Sequence, residues 1–217
     1  MKPLFLIMVT ALALSSCAQK NKQRSVPLNI PVGLKAAASA NEAVAYFAEG
    51  CFWHTEIVFQ SLYGVRDAVS GYAGGAVSHP DYDLVSSGTT GHAETVAVHY
   101  DPAKISFETL VKAFFASHDP TTLNRQGPDA GPQYRSIAFY SNNAEKNVIE
   151  KMIQNLGAAG TYRKKIVTQV SPMTGFYPAE DYHQEYIAHH PENPYVQSVN
   201  IPDYLRFRKE FKGKFKD

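Results

Sequence analysis

From about residue 42 onward, the apolar positions fall into short runs and helical stripes separated by polar stretches. Ala43-Val44-Ala45-Tyr46-Phe47-Ala48 is a continuous apolar run of strand length. Thr55 to Leu62 carries apolar residues at helical spacing and is stopped by Gly64. A second strand runs over Val65 to Ala73 and ends at Gly74-Gly75. From Gly74 to Gly91 periodicity is lost, and a loop of that length in a compact domain points to function. Glu94 to Tyr100 alternates, with Glu94, Val96, Val98 and Tyr100 on one face, which is the period of a strand. Ser106 is an N-cap for a helix through Leu110, Val111, Phe114 and Phe115. A second polar loop spans His118 to Gln133. A strand follows at Ile137 to Tyr140, then an amphipathic helix from Asn142 to Leu156 with Gly157 as its stop. Ile166 to Val170 reads as a strand, Glu180 to His190 as a short helix or turn, and Asp203 to Lys214 as a basic helix. This order predicts an α+β fold, a mixed sheet covered by helices.

The first residues follow another pattern. Lys2 precedes the apolar run Leu4 to Val9 and Ala11 to Leu14, too short for a bilayer span and of the length of a signal-peptide core. It ends in Leu14-Ser15-Ser16-Cys17, which resembles a bacterial lipoprotein processing site. That resemblance implies cleavage before Cys17 and a lipid on Cys17; ordinary signal cleavage nearby is the alternative. Residues 18 to 41 are polar, then rich in alanine with Pro27 and Pro31, and read as a flexible tether. The expected organisation is a signal peptide over 1–16, a lipidated Cys17 with its tether over 17–41, and one domain over 42–217. The domain is then exported and held on a bacterial membrane, at a periplasmic or outer face. Ala18, in place of an acidic residue, favours the outer membrane under Gram-negative sorting.

Composition narrows the function. A chain of 217 residues suits one well-buried domain, and a net charge of +1 gives no electrostatic reason to expect nucleic acid. The basic residues Arg206, Arg208, Lys209, Lys212, Lys214 and Lys216 read as a solvated helix face. The histidines are scattered without paired ligand spacing, so no metal site is expected. There are two cysteines and one tryptophan, and Gly50-Cys51-Phe52-Trp53 holds one of each at a strand-to-helix turn. With Cys17 lipidated, Cys51 has no disulfide partner. At a helix start its thiol is expected to fall below the free value of about 8.5. Alone, the stretch also fits an inert buried cysteine.

Six collinear stretches decide the matter: Gly50-Cys51-Phe52-Trp53, Gly71-Tyr72-Ala73-Gly74-Gly75, Gly91-His92-Ala93-Glu94, His118-Asp119-Pro120, Asp129 to Ser136, and Ala179 to Gln184. Together, over about residues 43 to 195, they resemble the A-type peptide methionine sulfoxide reductases. The resemblance implies a mixed sheet with a ferredoxin-like core and reduction of peptide-bound and free methionine S-sulfoxide. It makes Cys51 the nucleophile, left as a sulfenic acid. Glu94 becomes the general acid, and Tyr82 and Tyr134 become hydrogen-bond donors to the sulfoxide oxygen. Asp129 orders the site, Phe52 and Trp53 form the wall for the substrate methyl, and His183, in a matched motif, is either part of the substrate region or a structural histidine bonded to backbone. Sulfur–aromatic contacts favour such a wall.

Two departures from the family pattern matter. No cysteine follows Cys51, so an external thiol, from a thioredoxin-like protein or a small molecule, is expected to recycle the enzyme as a co-substrate. His54 stands where many relatives have glycine and either alters the approach to Cys51 or favours its thiolate. No bound cofactor is expected, and the protein is expected to act as a monomer. A cysteine hydrolase or acyltransferase pairing Cys51 with His183 or His92, and a lipoprotein that only binds a partner, are the competing readings.

Overall fold

The computed structural model describes residues 41–216; the signal, lipidation and tether readings, Cys17 included, lie outside them. β1 (Ala43–Glu49), α1 (Phe52–Gln60) and β2 (Val65–Ala73) are followed by the five-residue helix α2 (Tyr82–Ser86). β3 (Ala93–Tyr100), α3 (Phe107–Ser117), the short hairpin β4 (Arg125–Gln126) and β5 (Asp129–Ala130), and β6 (Ser136–Tyr140) come next. α4 (Asn143–Ala158), β7 (Gln169–Pro172), β8 (Phe176–Pro178), α5 (Tyr186–His189) and α6 (Ile201–Glu210) complete the chain.

The main sheet has the order β7-β6-β1-β3-β2-β8. β1 is antiparallel to β3 and β6, β2 is antiparallel to β3 and β8, and β6 runs parallel to β7. Its centre is β1-α1-β2-β3-α3-β6 with strand order β6-β1-β3-β2, the ferredoxin-like arrangement that the motifs implied. α1 and α3 pack on one face around a core in which Phe47 stacks on Phe59 at 4.9 Å and on Phe114 at 5.2 Å. A smaller cluster of Ala48, Ala73, Ala93, Ile137 and Phe139 covers the opposite face at one end. β3 is therefore buried on both faces, although its sequence alternates.

The structure moves several boundaries. α2 and the β4–β5 hairpin lie inside the two segments read as loops, and β8 was not anticipated. β7 begins at Gln169, not Ile166, because its parallel pairing with β6 starts at Ile137↔Gln169, while Ile166 packs into the core. α4 continues through Gly157 to Ala158, and the left-handed turn falls at Gly160, with φ +62°. α6 starts two residues early, after a π-helical turn over Val196–Asn200, and ends at Glu210.

Candidate active site

Antiparallel pairing of β1 with β3 puts the end of β1 beside the start of β3, since Phe47 pairs with Val96. Cys51, just past β1, and Glu94, near the start of β3, are brought together in this way. Gly50 makes the turn at φ +114°, and a Cβ there would collide with Gln126 of the β4–β5 hairpin. Cys51 is the N-cap of α1. Tyr82 comes from α2, Asp129 from β5, and Tyr134 from the 3₁₀ turn Pro132–Tyr134. With Phe52, Trp53, Asn193 and Tyr195 these residues line a cavity of about 280 Å³.

The Glu94 carboxyl is buried, and its Oε2 accepts a hydrogen bond from the Phe52 N–H at 2.9 Å. Burial, assisted by the nearby Asp129 charge, pushes its pKa up to about 8 against the pull of that N–H, so Glu94 is protonated at neutral pH. Two other carboxyls are buried nearby, but neither lines the cavity. Glu49 accepts from Ser117 Oγ at 2.8 Å, and Glu56 accepts from Ser70 Oγ and the Glu185 N–H.

The Cys51 thiol departs from expectation. Burial, then the carboxyls of Glu94 and Asp129, hold its pKa well above the ordinary cysteine value. The Trp53 and His54 N–H groups at the start of α1 pull the other way and are outweighed. The local helix-start argument is correct in sign but loses to desolvation, and the resting group is a thiol. Burial also raises the Tyr82 hydroxyl to about 12 and lifts Tyr134 further, so both phenols remain donors.

The wall is built in layers. The Trp53 indole stacks on Tyr186 at 3.7 Å and donates from Nε1 to His183 Nδ1 at 3.1 Å. His183 packs behind Phe52 at 4.9 Å and Tyr82 at 4.5 Å with its ring tilted to both, and does not line the cavity. Its contacts are with the wall, as the structural reading of this histidine has it. Glu180 accepts from the Tyr82 N–H at 2.9 Å and from Tyr72 Oη at 2.8 Å, which fixes α2 over the site. Asn193 and Tyr195 were missed by the sequence reading. Tyr195 Oη donates to Asp129, and Asn193 Oδ1 accepts from the Tyr195 N–H at 2.8 Å. Asn193 lies in a loop and Tyr195 in the helical residues that lead into the Val196–Asn200 turn, and only the polar-aromatic run Asn193-Pro194-Tyr195 hinted at them.

His54 does not act at Cys51. It is buried on the far side of α1, with Nε2 against Ser117 O at 3.2 Å, and burial lowers its pKa. Nor does His92 offer a base: Nδ1 accepts from the Gly75 N–H at 3.2 Å, and Nε2 pairs with Val77 O at 2.8 Å. Among the described residues no imidazole is hydrogen-bonded to the Cys51 sulfur, and no cluster of three or more ligating side chains could hold a metal ion. A thiol next to a protonated carboxyl and two neutral phenols, without a histidine base, suits a thiol-dependent oxidoreductase that protonates a departing oxygen.

Comparison with known proteins narrows that class. A family model described as peptide methionine sulfoxide reductase matches residues 43–215. Peptide methionine sulfoxide reductase MsrA 1 of Rhodopirellula baltica is 49% identical over 175 residues, which is 81% of this chain and 90% of that protein. The MsrA of Thermus thermophilus is 49% identical over 172 residues, 79% of this chain and 97% of that one. Among solved structures, methionine sulfoxide reductase A of Corynebacterium diphtheriae superposes with a TM-score of 0.63 at 34% identity, covering 70% of this chain and 77% of that one. A Saccharomyces cerevisiae protein solved in reduced form gives 0.66 at 33% identity, covering 75% and 94%. The chain belongs to the peptide methionine sulfoxide reductase family. It is an oxidoreductase that reduces methionine sulfoxide to methionine and so repairs oxidised protein.

Proposed function

We propose that Cys51 and Glu94 carry the reduction as a proton-coupled pair. The observation that carries this is the buried Glu94 carboxyl, tied to the Phe52 N–H and lining the same cavity as Cys51. The Cys51 sulfur attacks the sulfoxide sulfur of the S epimer. Glu94 gives its proton to the sulfoxide oxygen and receives the proton that leaves the thiol. The S–O bond of the substrate breaks, the hydroxide released bonds to Cys51 Sγ as the new Sγ–S bond breaks, methionine departs, and Cys51 is left as a sulfenic acid. Substrate sulfur gains the two electrons that Cys51 loses, and no net proton is released. Tyr82 and Tyr134 donate to the oxygen while charge builds on it. Phe52 and Trp53 receive the methyl group, His183 holds the indole, and Asp129 with Tyr195 orders the opposite wall.

Cys51 is the free cysteine among the described residues, which supports recycling by an external thiol, either a thioredoxin-like protein or a small thiol. The lipoprotein-like sequence Leu14 to Cys17 supports an exported enzyme anchored on a bacterial membrane. Cys17→Ser should release activity from the membrane fraction, and retention there would refute anchoring. For the chemistry, turnover of separated sulfoxide epimers with dimedone present should consume only the S epimer and label Cys51. Equal consumption of the R epimer, or a label elsewhere, would refute the reading.

A further inference from the structure

The reducing thiol must enter the cavity that the substrate leaves, because Cys51 lines that cavity and is the cysteine of the described domain. Asp129 lines this cavity together with Glu94, whose carboxyl is protonated, and no cationic side chain does. Arg135 and Arg125 on the adjoining loops do not line the cavity. Arg135 donates to Pro132 O and Gly91 O, both at 2.8 Å, and Arg125 donates to Gly127 O at 3.2 Å. The surroundings of the lining residue Tyr82 are acidic as well: Asp81 and Asp83 flank it in the chain, and Glu180 accepts from its N–H at 2.9 Å. Asp129 also raises the pKa of the Cys51 thiol. A thiolate entering here meets the Asp129 carboxylate with no cation in the lining to offset it, and a second negative charge on the same molecule adds to the penalty.

We infer that the cavity selects its recycling thiol by charge, admitting neutral or cationic thiols and turning away those with an extra anionic group. The inference rests on Cys51 being the residue that holds the sulfenic acid. In the recycling step the thiolate sulfur bonds to Cys51 Sγ, the S–O bond breaks, and the oxygen leaves as water after taking a proton from Glu94. A second thiolate then attacks the carrier sulfur of the mixed disulfide and frees Cys51. Two thiols supply the two electrons and become a disulfide. The natural donor is thus a thiol whose surroundings are neutral or basic, and a small thiol with free carboxylates is a poor one.

The test uses three thiols on one two-carbon frame: 2-mercaptoethylamine (cationic), 2-mercaptoethanol (neutral) and 2-mercaptoethanesulfonate (anionic). The protein is first loaded with one equivalent of methionine sulfoxide. Recovery is then followed by fluorescence of Trp53, the single tryptophan, next to Cys51. Each rate is divided by that of the same thiol with a small uncharged disulfide. The cationic thiol should exceed the anionic one by at least about tenfold at low ionic strength, and the ratio should shrink as salt screens the site. Asp83→Asn should lower the ratio without affecting loading. Normal loading followed by equal normalised rates, or by fastest recovery with the sulfonate, would overturn this inference alone. Failure to release methionine during loading would overturn the reading of Cys51, and this inference with it.

Discussion

Glu94→Gln is the most discriminating substitution. Glutamine keeps the shape, and its carbonyl oxygen can still accept from the Phe52 N–H, so the turn at Cys51 is preserved. What is lost is the acidic proton. With a pKa of about 8, roughly nine-tenths of Glu94 carries that proton at pH 7. General acid catalysis supplies about 10²–10⁴ in rate, or ~3–5 kcal/mol, so methionine release in a single turnover should slow by that range. The pH dependence carries the sign. The active wild-type form has Glu94 protonated, so its single-turnover rate should hold up to about pH 8 and fall above it. The variant, already slow, should show no such fall. Stability provides an independent reading. A carboxyl whose pKa is raised on folding stabilises the fold fully below its unfolded value of 4.5, and that contribution is lost as pH rises through about 8. At about 1.4 kcal/mol per unit, the loss between pH 4.5 and 7 is on the order of 3 kcal/mol. Urea titrations at pH 6 and 8 should therefore show Glu94→Gln gaining on the wild type at the higher pH. Rapid-quench measurement of methionine from pH 5 to 10 is the primary assay. A variant within threefold of wild type, or one that retains the alkaline fall, would refute the assignment of Glu94 as the acid.

Tyr82→Phe and Tyr134→Phe should each slow the first turnover by about 10–10² while leaving the fold intact, since one donor to the developing oxygen charge is removed; unchanged single-turnover rates would remove that residue from the mechanism. Trp53→Phe keeps an aromatic wall but loses the bond to His183 Nδ1, and should raise KM several-fold with a smaller change in kcat. His54→Gln should lower stability by about 1–2 kcal/mol in urea titration, because His54 is buried against α3, and should leave the pH profile of Cys51 alkylation unshifted. Gly50→Ala should cost about 1–3 kcal/mol and depress single-turnover rates, because it forces a side chain into φ +114° against Gln126.

The βαββαβ core was readable because its strands and helices bury whole faces, and burial leaves periodicity in the sequence. Ser106 to Phe115 is the clearest case, whereas Glu94 to Tyr100 alternates although β3 is buried on both faces. Elements held by tertiary contacts left no such trace. β8 has three residues and the β4–β5 hairpin two residues per strand. β7 takes its register from β6 rather than from the apolar Ile166-Val167. The cavity residues Cys51, Glu94, Tyr82, Asp129 and Tyr134 were legible only through the motifs around them, since loop residues carry no period. Tyr195 and Asn193 had no motif and were missed. The Cys51 pKa failed for a different reason. The helix start could be read locally, whereas the burial that outweighs it depends on residues more than forty positions away.

The central claim is that one cysteine, Cys51, takes the oxidation in each turnover and cannot recover unaided. Reduced protein mixed with excess methionine S-sulfoxide and no reductant tests it directly. The account predicts a burst of one methionine per chain, then arrest, with Cys51 trapped as a sulfenic acid by dimedone and no intramolecular disulfide on non-reducing gels. Continued turnover without thiol, no burst, or a burst that survives Cys51→Ser would contradict it.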